Sequence, residues 1–230
     1  MWSSEVNGQL LKLHLAGINN QNFIMRDDQT GTWWQQVTGE GMFGPLKGQQ
    51  LGMIPHDELS YGVWKREQPR GRVLRPDPNI ATRYESADWE QRYARFPVLT
   101  AADPGDSVPP RSLVFGITLG VTAKAYQLAT LQNQSPIIDQ VDQTPVMAVL
   151  GDDHKSVRVF DRTVEGRALE FFLKQGATPL QLVDSETGSQ WDFSGRAISG
   201  QLAGKQLRKI YGFDDYWFDW KTYHPNTLMY

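Results

Sequence analysis

Apolar and polar residues alternate over Leu11 to Leu15, where Lys12 and His14 separate three leucines, and Leu169 to Leu173 keeps that period at its ends. A period of two puts alternate side chains on one face, so both stretches are predicted as half-buried strands. Each follows a hairpin signal, Asn7-Gly8 or Glu165-Gly166, because glycine accepts the positive φ such turns need. Strands are also predicted over Phe23 to Asp27 and Leu180 to Asp184. Each leads into turn chemistry (Asp28-Gln29-Thr30-Gly31; Ser185-Glu186-Thr187-Gly188) and then a tryptophan-bearing strand. Short apolar runs predict further strands over Leu113 to Ile117, Pro136 to Val141, Pro145 to Leu150 and Ser156 to Val164, with a turn at Gly151-Asp152-Asp153. Ser60 before Tyr61 to Lys65, and Asp215 before Tyr216 to Lys221, are capping residues ahead of aromatic runs, which predicts two short helices. The expected fold is mainly β with a few short helices, its antiparallel strands curled into sandwich or barrel form.

These elements occur twice. Allowing one gap between Trp34 and Gly39, the stretch Thr30 to Leu51 pairs with Thr187 to Leu207. Identities fall at Thr30/Thr187, Gly31/Gly188, Trp34/Trp191, Gly39/Gly195, Gly44/Gly200, Leu46/Leu202, Gly48/Gly204, Gln50/Gln206 and Leu51/Leu207. Upstream, Val6-Asn7-Gly8 meets Val164-Glu165-Gly166; downstream, Trp64-Lys65 and Pro69 meet Trp220-Lys221 and Pro225. Ordered matches that include tryptophan and glycine exceed what composition produces. Two tandem related modules are therefore expected: 1–74 as a first, N-terminally incomplete repeat, 75–111 as a proline-rich connection, and 112–230 as a second, complete repeat. The connection carries Pro76, Pro78, Pro104-Gly105 and Pro109-Pro110, with a short helix expected around Tyr84 to Arg95. Because Ser112 to Arg158 finds no partner in the first copy, Met1 to Val6 is expected to present an open or otherwise covered sheet edge.

Composition then removes several classes. A net charge of -3 and a pI near 5.8 over 230 residues give no long-range attraction for nucleic acid or anionic lipid. With no cysteine there is no disulfide, thiolate nucleophile or sulfur-rich metal site. No apolar stretch approaches the ~20 residues of a spanning helix, so no membrane span is expected.

Chemical motifs are sparse. The glycines from Gly195 to Gly204 lead to Lys205, yet Ser199 stands where a phosphate loop needs its first glycine and Gln206 where it needs Ser or Thr. Sheet-corner turns explain them better. No Gly-x-Ser-x-Gly elbow and no metal-type histidine spacing occurs among His14, His56, His154 and His224. Asp152-Asp153-His154 reads as a solvated turn before it reads as a cation site. Trp34/Trp191 and Trp64/Trp220 recur in both copies, as core anchors would. Unpaired Trp33 and Trp217 are expected to face outward, and with Lys124, Tyr126 and Arg196 they are the candidate ligand-binding residues. Polar positions where the copies differ (Glu40 against Arg196, Gln35 against Asp192) fit specialisation and surface drift equally. Asp184, His224 and Arg162 are the candidate catalytic residues. No metal and no cofactor is expected.

The residues Asp184-Ser185-Glu186-Thr187-Gly188-Ser189-Gln190-Trp191, Gly195 to Gly204, Trp217, Trp220 and His224-Pro225, with Lys124-Ala125-Tyr126, Asp139 and Phe160-Asp161-Arg162, carry a resemblance. The chain resembles a bacterial and archaeal family catalogued as domain of unknown function 3179, through the whole second copy and more weakly the first. The resemblance implies no activity, substrate or catalytic residue. Gln127 and Ile138 stand where that family commonly has proline and asparagine, and the Cys-Pro-x-Cys segment many members carry before the first hairpin is missing. Members often look exported, so the resemblance points to an extracytoplasmic place, although no signal in these residues encodes one. The best functional expectation is a ligand-binding or interaction protein with a groove between the two modules, its partner a small molecule or a protein. The alternatives are a hydrolytic enzyme using Asp184, His224 and Arg162, and a structural module with no small-molecule site.

Overall fold

A computed structural model describes residues 1–19, 22–99, 105–106 and 108–230. Pro104 of the expected Pro104-Gly105 turn lies outside the described residues. The first part opens with β1 (Glu5–Val6) and β2 (Gln9–Leu10), a hairpin whose Asn7 and Gly8 both take positive φ, 52° and 77°. Strands β3 (Leu13–Asn19), β4 (Asn22–Asp27), β5 (Trp33–Gln35) and β6 (Gly41–Phe43) then form an antiparallel sheet in chain order. Helix α1 (Tyr61–Glu67) begins where the Ser60 hydroxyl accepts from the Val63 N–H. In the connection, a 3-10 segment (Pro78–Arg83) and α2 (Trp89–Tyr93) bury no residue.

The second part starts with β7 (Leu113–Leu119) and β8 (Thr122–Gln127), then α3 (Leu128–Gln134). Next come β9 (Ile137–Val141), β10 (Thr144–Leu150) and β11 (Val157–Asp161). A hairpin of β12 (Thr163–Val164) and β13 (Arg167–Ala168) turns on Glu165-Gly166, at φ 51° and 78°. It leads into a second tryptophan sheet of β14 (Phe171–Leu173), β15 (Gln181–Asp184), β16 (Gln190–Asp192) and β17 (Ala197–Ser199), again in chain order. Strand β18 (Arg208–Ile210) joins β11, making a sheet ordered β18-β11-β10-β9. Finally β19 (Gly212–Tyr216), α4 (Trp217–Tyr223) and β20 (Leu228–Met229) complete a sheet ordered β19-β7-β8-β20. The fold is thus mainly β in several antiparallel sheets, and among the described residues one pair, β8 with β20, is parallel. Among the described residues no sheet closes on itself, so the barrel alternative does not occur. Among the described residues no helix is long and apolar enough to cross a membrane.

Both tryptophan sheets are organised by one buried carboxylate. Asp27 accepts from the Thr30 N–H and hydroxyl, the Thr32 N–H and, at 2.9 Å, Trp34 Nε1. Asp184 accepts from the Thr187 N–H and hydroxyl and, at 2.8 Å, Trp191 Nε1. The next hydroxyl, Thr32 or Ser189, accepts from the N–H of Leu46 or Leu202. Beside it the chain passes so close that a Cβ on Gly44 would lie 2.8 Å from Thr32 Cα, and one on Gly200 would lie 2.6 Å from Ser189 Cα. Repetition of turn residues in the sequence therefore has a packing cause: each set saturates an acceptor that burial would otherwise leave costly.

The backing of the two sheets differs. Behind the second, Leu182, Trp191, Ala197 and Leu202 merge with Met147, Val149 and Phe160 into a large core. Behind the first, the buried set is Val6, Leu11, Trp34 and Leu51, with Trp2 packed against it. Trp2 and Phe160 hold matching places, since a Cβ on Gly39 would meet the Trp2 ring at 2.8 Å and one on Gly195 would meet the Phe160 ring at 2.6 Å. Trp2 also bridges to Met53, and Ser3 N–H donates to the Gly52 carbonyl, so this segment is paired along one side.

The two parts interlock. Val63 of α1, with Leu59 beside it, is buried in the second part's core. Arg158 of β11, 3% exposed, holds Asp57 (2.8 Å) and Glu67 (2.6 Å). In the opposite direction, Asp219 of α4 accepts a short hydrogen bond from Asn22 of β4.

Candidate functional site

The sequence-derived candidates scatter. Asp184 is fully buried and committed to its turn and to Trp191. Arg162 donates to the Leu169 carbonyl and to Glu170 (2.9 and 2.8 Å), bracing the β12–β13 hairpin. His224 caps the end of α4: Nδ1 lies 3.1 Å from the Trp220 carbonyl and the ring stacks on Trp220 at 3.8 Å, while burial lowers its pKa. No hydrogen bond among the described residues joins any two of these three.

Lys124 and Tyr126 do come together. The Lys124 ammonium pairs with Asp139, which also accepts from the Tyr126 hydroxyl at 3.0 Å, and the ammonium lies 5.7 Å from the Tyr230 ring centroid. Burial, followed by the Asp139 charge, pushes the Tyr126 hydroxyl pKa up. This cluster is mutually satisfied. Its central place in β8 explains why that strand was not anticipated, since a lysine among short residues hides a buried run. Trp33 is half-buried, whereas Trp217 is 5% exposed and packs in the core of β7, β8 and α4 instead of facing outward. The first turn of α4, Trp217 to Trp220, is buried throughout, which leaves no outward position for it. Arg196 is exposed on a hollow of about 430 Å³ that Arg66, Asp152, Leu180, Asp192 and Phe193 also line.

A different cleft, of about 220 Å³, lies where the first part meets β19. Trp2, Asn22, Gln36, Val37, Met53, His56 and Glu58 line it from one side, and Phe213, Asp214 and Asp215 from the other. The fold frees Asp215 for this place. At the start of α4 the Trp217 and Phe218 N–H groups donate to the Ser112 and Pro110 carbonyls (2.9 and 2.8 Å), so the helix needs no side-chain cap. Asp215, expected as that cap, instead takes the Tyr216 N–H on Oδ1 and leaves Oδ2 without a donor among the described residues.

One residue behind the lining, Asp219 lies against Asp215 and is held by Asn22; its Oδ1 also finds no donor. The Asp215–Asp219 contact is a hydrogen bond only when one carboxyl is protonated. Burial, and then the Asp219 charge, pushes Asp215 up to about 8, and burial raises Asp219 as well. Asp214 stands at the open rim, where desolvation and the Glu58 charge push it up to about 7; solvent screens this outer pair more than the inner one. No ion pair among the described residues involves Glu58, Asp214, Asp215 or Asp219. Chemically, the cleft offers the Asp215 carboxyl, which burial and Asp219 behind it push toward its protonated form, beside two aromatic rings and a thioether.

Sequence reasoning missed these residues, which are scattered along the chain. One local signal was available: Asp215 and Asp219 are like charges four apart at a helix start, a spacing that ordinarily repels.

No curated protein and no solved structure matches this chain. The family model described as "Protein of unknown function (DUF3179)" matches residues 1–227, and the chain belongs to that family.

Proposed function

We propose that this is a ligand-binding protein whose small-molecule ligand sits in the cleft between two related modules, 1–74 and 112–230, joined by 75–111. The observation that carries the reading is the Asp215–Asp219 pair, two carboxyls in contact with raised pKa values, one of them on the wall of a hollow lined from both modules. Convergent polar groups with displaced pKa values in a concave, partly apolar site are the usual marks of a binding or catalytic pocket. In a thermal-shift screen of small polar molecules, hits should raise the melting temperature of the wild type, lose that shift in Met53→Trp, which fills the cleft mouth, and keep it in Arg196→Ala. Hits that survive Met53→Trp would place the site elsewhere.

The same pair supports a second reading, hydrolysis, because a carboxyl kept protonated near neutrality can hand a proton to a leaving group. This version uses Asp215 and Asp219 in place of Asp184, His224 and Arg162, whose hydrogen bonds serve the fold. Turnover of a hit that stops in Asp215→Asn separates enzyme from binder.

A further inference from the structure

Beyond the cleft, we propose that the loop from Pro69 to Pro97 docks this protein on a membrane surface rich in anionic phospholipid, with Val73 and Leu74 entering the headgroup layer and the neighbouring arginines on lipid phosphates. The loop is pinned where it leaves the body and again where it returns. Arg66 holds Asp152 at 2.6 Å and Glu90 reaches Lys155 at 3.7 Å, and both partners belong to the one turn between β10 and β11. Farther along, the Phe96 carbonyl accepts from Arg111 Nε. What lies between projects from the body: every residue from Arg72 to Pro97 is exposed, and Leu74 is 94% exposed.

The charges of the loop are unevenly matched. It carries six arginines against four acids. The acids are engaged, Glu85 and Asp88 by Arg92, Glu90 by Lys155, and Asp77 by the Asn79 N–H. Among the described residues, Arg70, Arg72, Arg75, Arg83 and Arg95 have no ion pair and no side-chain hydrogen bond. A planar guanidinium donates to two phosphate oxygens at once, so five such groups on one exposed loop suit a surface of phosphates. Because the net charge of the chain is -3, the attraction is local. Arginines act on lipid phosphates within a Debye length of about 10 Å, and apolar contact brings them that close.

The apolar residues decide which polyanion fits. An exposed leucine beside an exposed valine gains nothing on a nucleic acid, whereas hydrocarbon beneath the headgroups receives both. Trp89, Tyr93 and Phe96 pack on one another along α2, at 5.8 and 4.9 Å between centroids, and so form a continuous half-exposed row in place of separate platforms for bases. Such rings settle at the boundary between water and lipid. The fold draws no core from them, since the 3-10 segment and α2 bury no residue.

Flotation of the whole chain with vesicles of phosphatidylcholine alone, and of phosphatidylcholine and phosphatidylglycerol in equal parts, tests the assignment at about 0.1 M salt. The chain should float with the mixed vesicles and not with the neutral ones, and about 0.5 M salt should release most of it. Leu74→Asp, and the triple variant Arg70→Gln, Arg72→Gln, Arg75→Gln, should each lower the partition coefficient about tenfold or more. Arg167→Gln, an exposed arginine on the β12–β13 hairpin, should leave it unchanged. Melting temperatures of all variants should match the wild type, because the replaced side chains are exposed. A chain that stays off the mixed vesicles, floats equally with the neutral ones, or binds undiminished in Leu74→Asp or in the triple variant overturns the proposal. If polyuridylate retards the wild type in a gel while the mixed vesicles leave it free, the partner is a nucleic acid and the lipid assignment falls.

Discussion

The two tryptophan sheets share one local design and differ in what lies behind them. In each, a buried aspartate gathers the following turn's hydroxyl and amides and the indole of the next strand. The second sheet backs onto Met147, Val149 and Phe160, while the first has Trp2 where the second has Phe160 and a much smaller buried set. The first also leaves more apolar surface open: Leu10, Leu15, Ile18 and Phe43 are each at least 60% exposed. Local chemistry can therefore be repeated while stability and function diverge. The cleft forms on the thinner of the two, where β19 and α4 meet it.

The largest effect should come from removing the clamp that ties the halves together. Arg158→Ala strands Glu67, leaves Asp57 with Lys209 alone and opens a hole beside Phe193, which should cost about 3–5 kcal/mol in urea unfolding. A loss below about 1 kcal/mol would mean the halves are not coupled there. Next, Asp184→Ala leaves buried donors on Thr187 and Trp191 unpaired, for about 2–4 kcal/mol of global stability. Asp27→Ala removes the same bonds from the thinner sheet. Its effect should appear as faster hydrogen exchange confined to β4 and β5, with a smaller global loss. Equal global losses would erase the distinction between the sheets.

A third test uses pH. Asp215 is raised to about 8 in the folded protein against 3.8 for the free side chain. Between these values the folded state holds more protons than the unfolded one, so this carboxyl's contribution is full below pH 4 and is lost as pH climbs toward 8. Asp215→Asn should flatten that decline. Its melting temperature relative to wild type should be higher at pH 8.5 than at pH 5, and a pH-independent difference would contradict the buried pair. The smallest effect is expected from Ser60→Ala, about 1 kcal/mol, because α1 depends on a side-chain cap. No change at the matching start of α4 is expected from cap chemistry, since backbone carbonyls satisfy it.

Much of the fold was legible. Asn7-Gly8 and Glu165-Gly166 adopt the positive φ their types announce, the Trp-Lys runs are helical, and the predicted strands in the middle exist with shifted ends. Strand β8 and helix α3 were not legible, because Lys124 interrupts one apolar pattern and Leu128–Gln134 is short and carries no side-chain cap. The candidate site was hardly legible at all. Asp184 attracted notice because it recurs, but it recurs for its turn. Arg162 and His224 hold a hairpin and a helix end.

By itself, the sequence determined what depends on near neighbours: turn conformations, strand periodicity, the aspartate-to-tryptophan bond seven residues apart, and the repetition of all of these. Only the tertiary structure decided that Asn22 meets Asp219, 197 residues on, and that Val63 of α1 is buried in the other half's core. It also decided that Trp217 faces inward, and that Asp215 is released from capping to stand beside Asp219. A turn is chosen by the rotational preferences of three or four residues. A carboxyl's environment is chosen by whichever distant segments exclude water from it, and no local pattern encodes that.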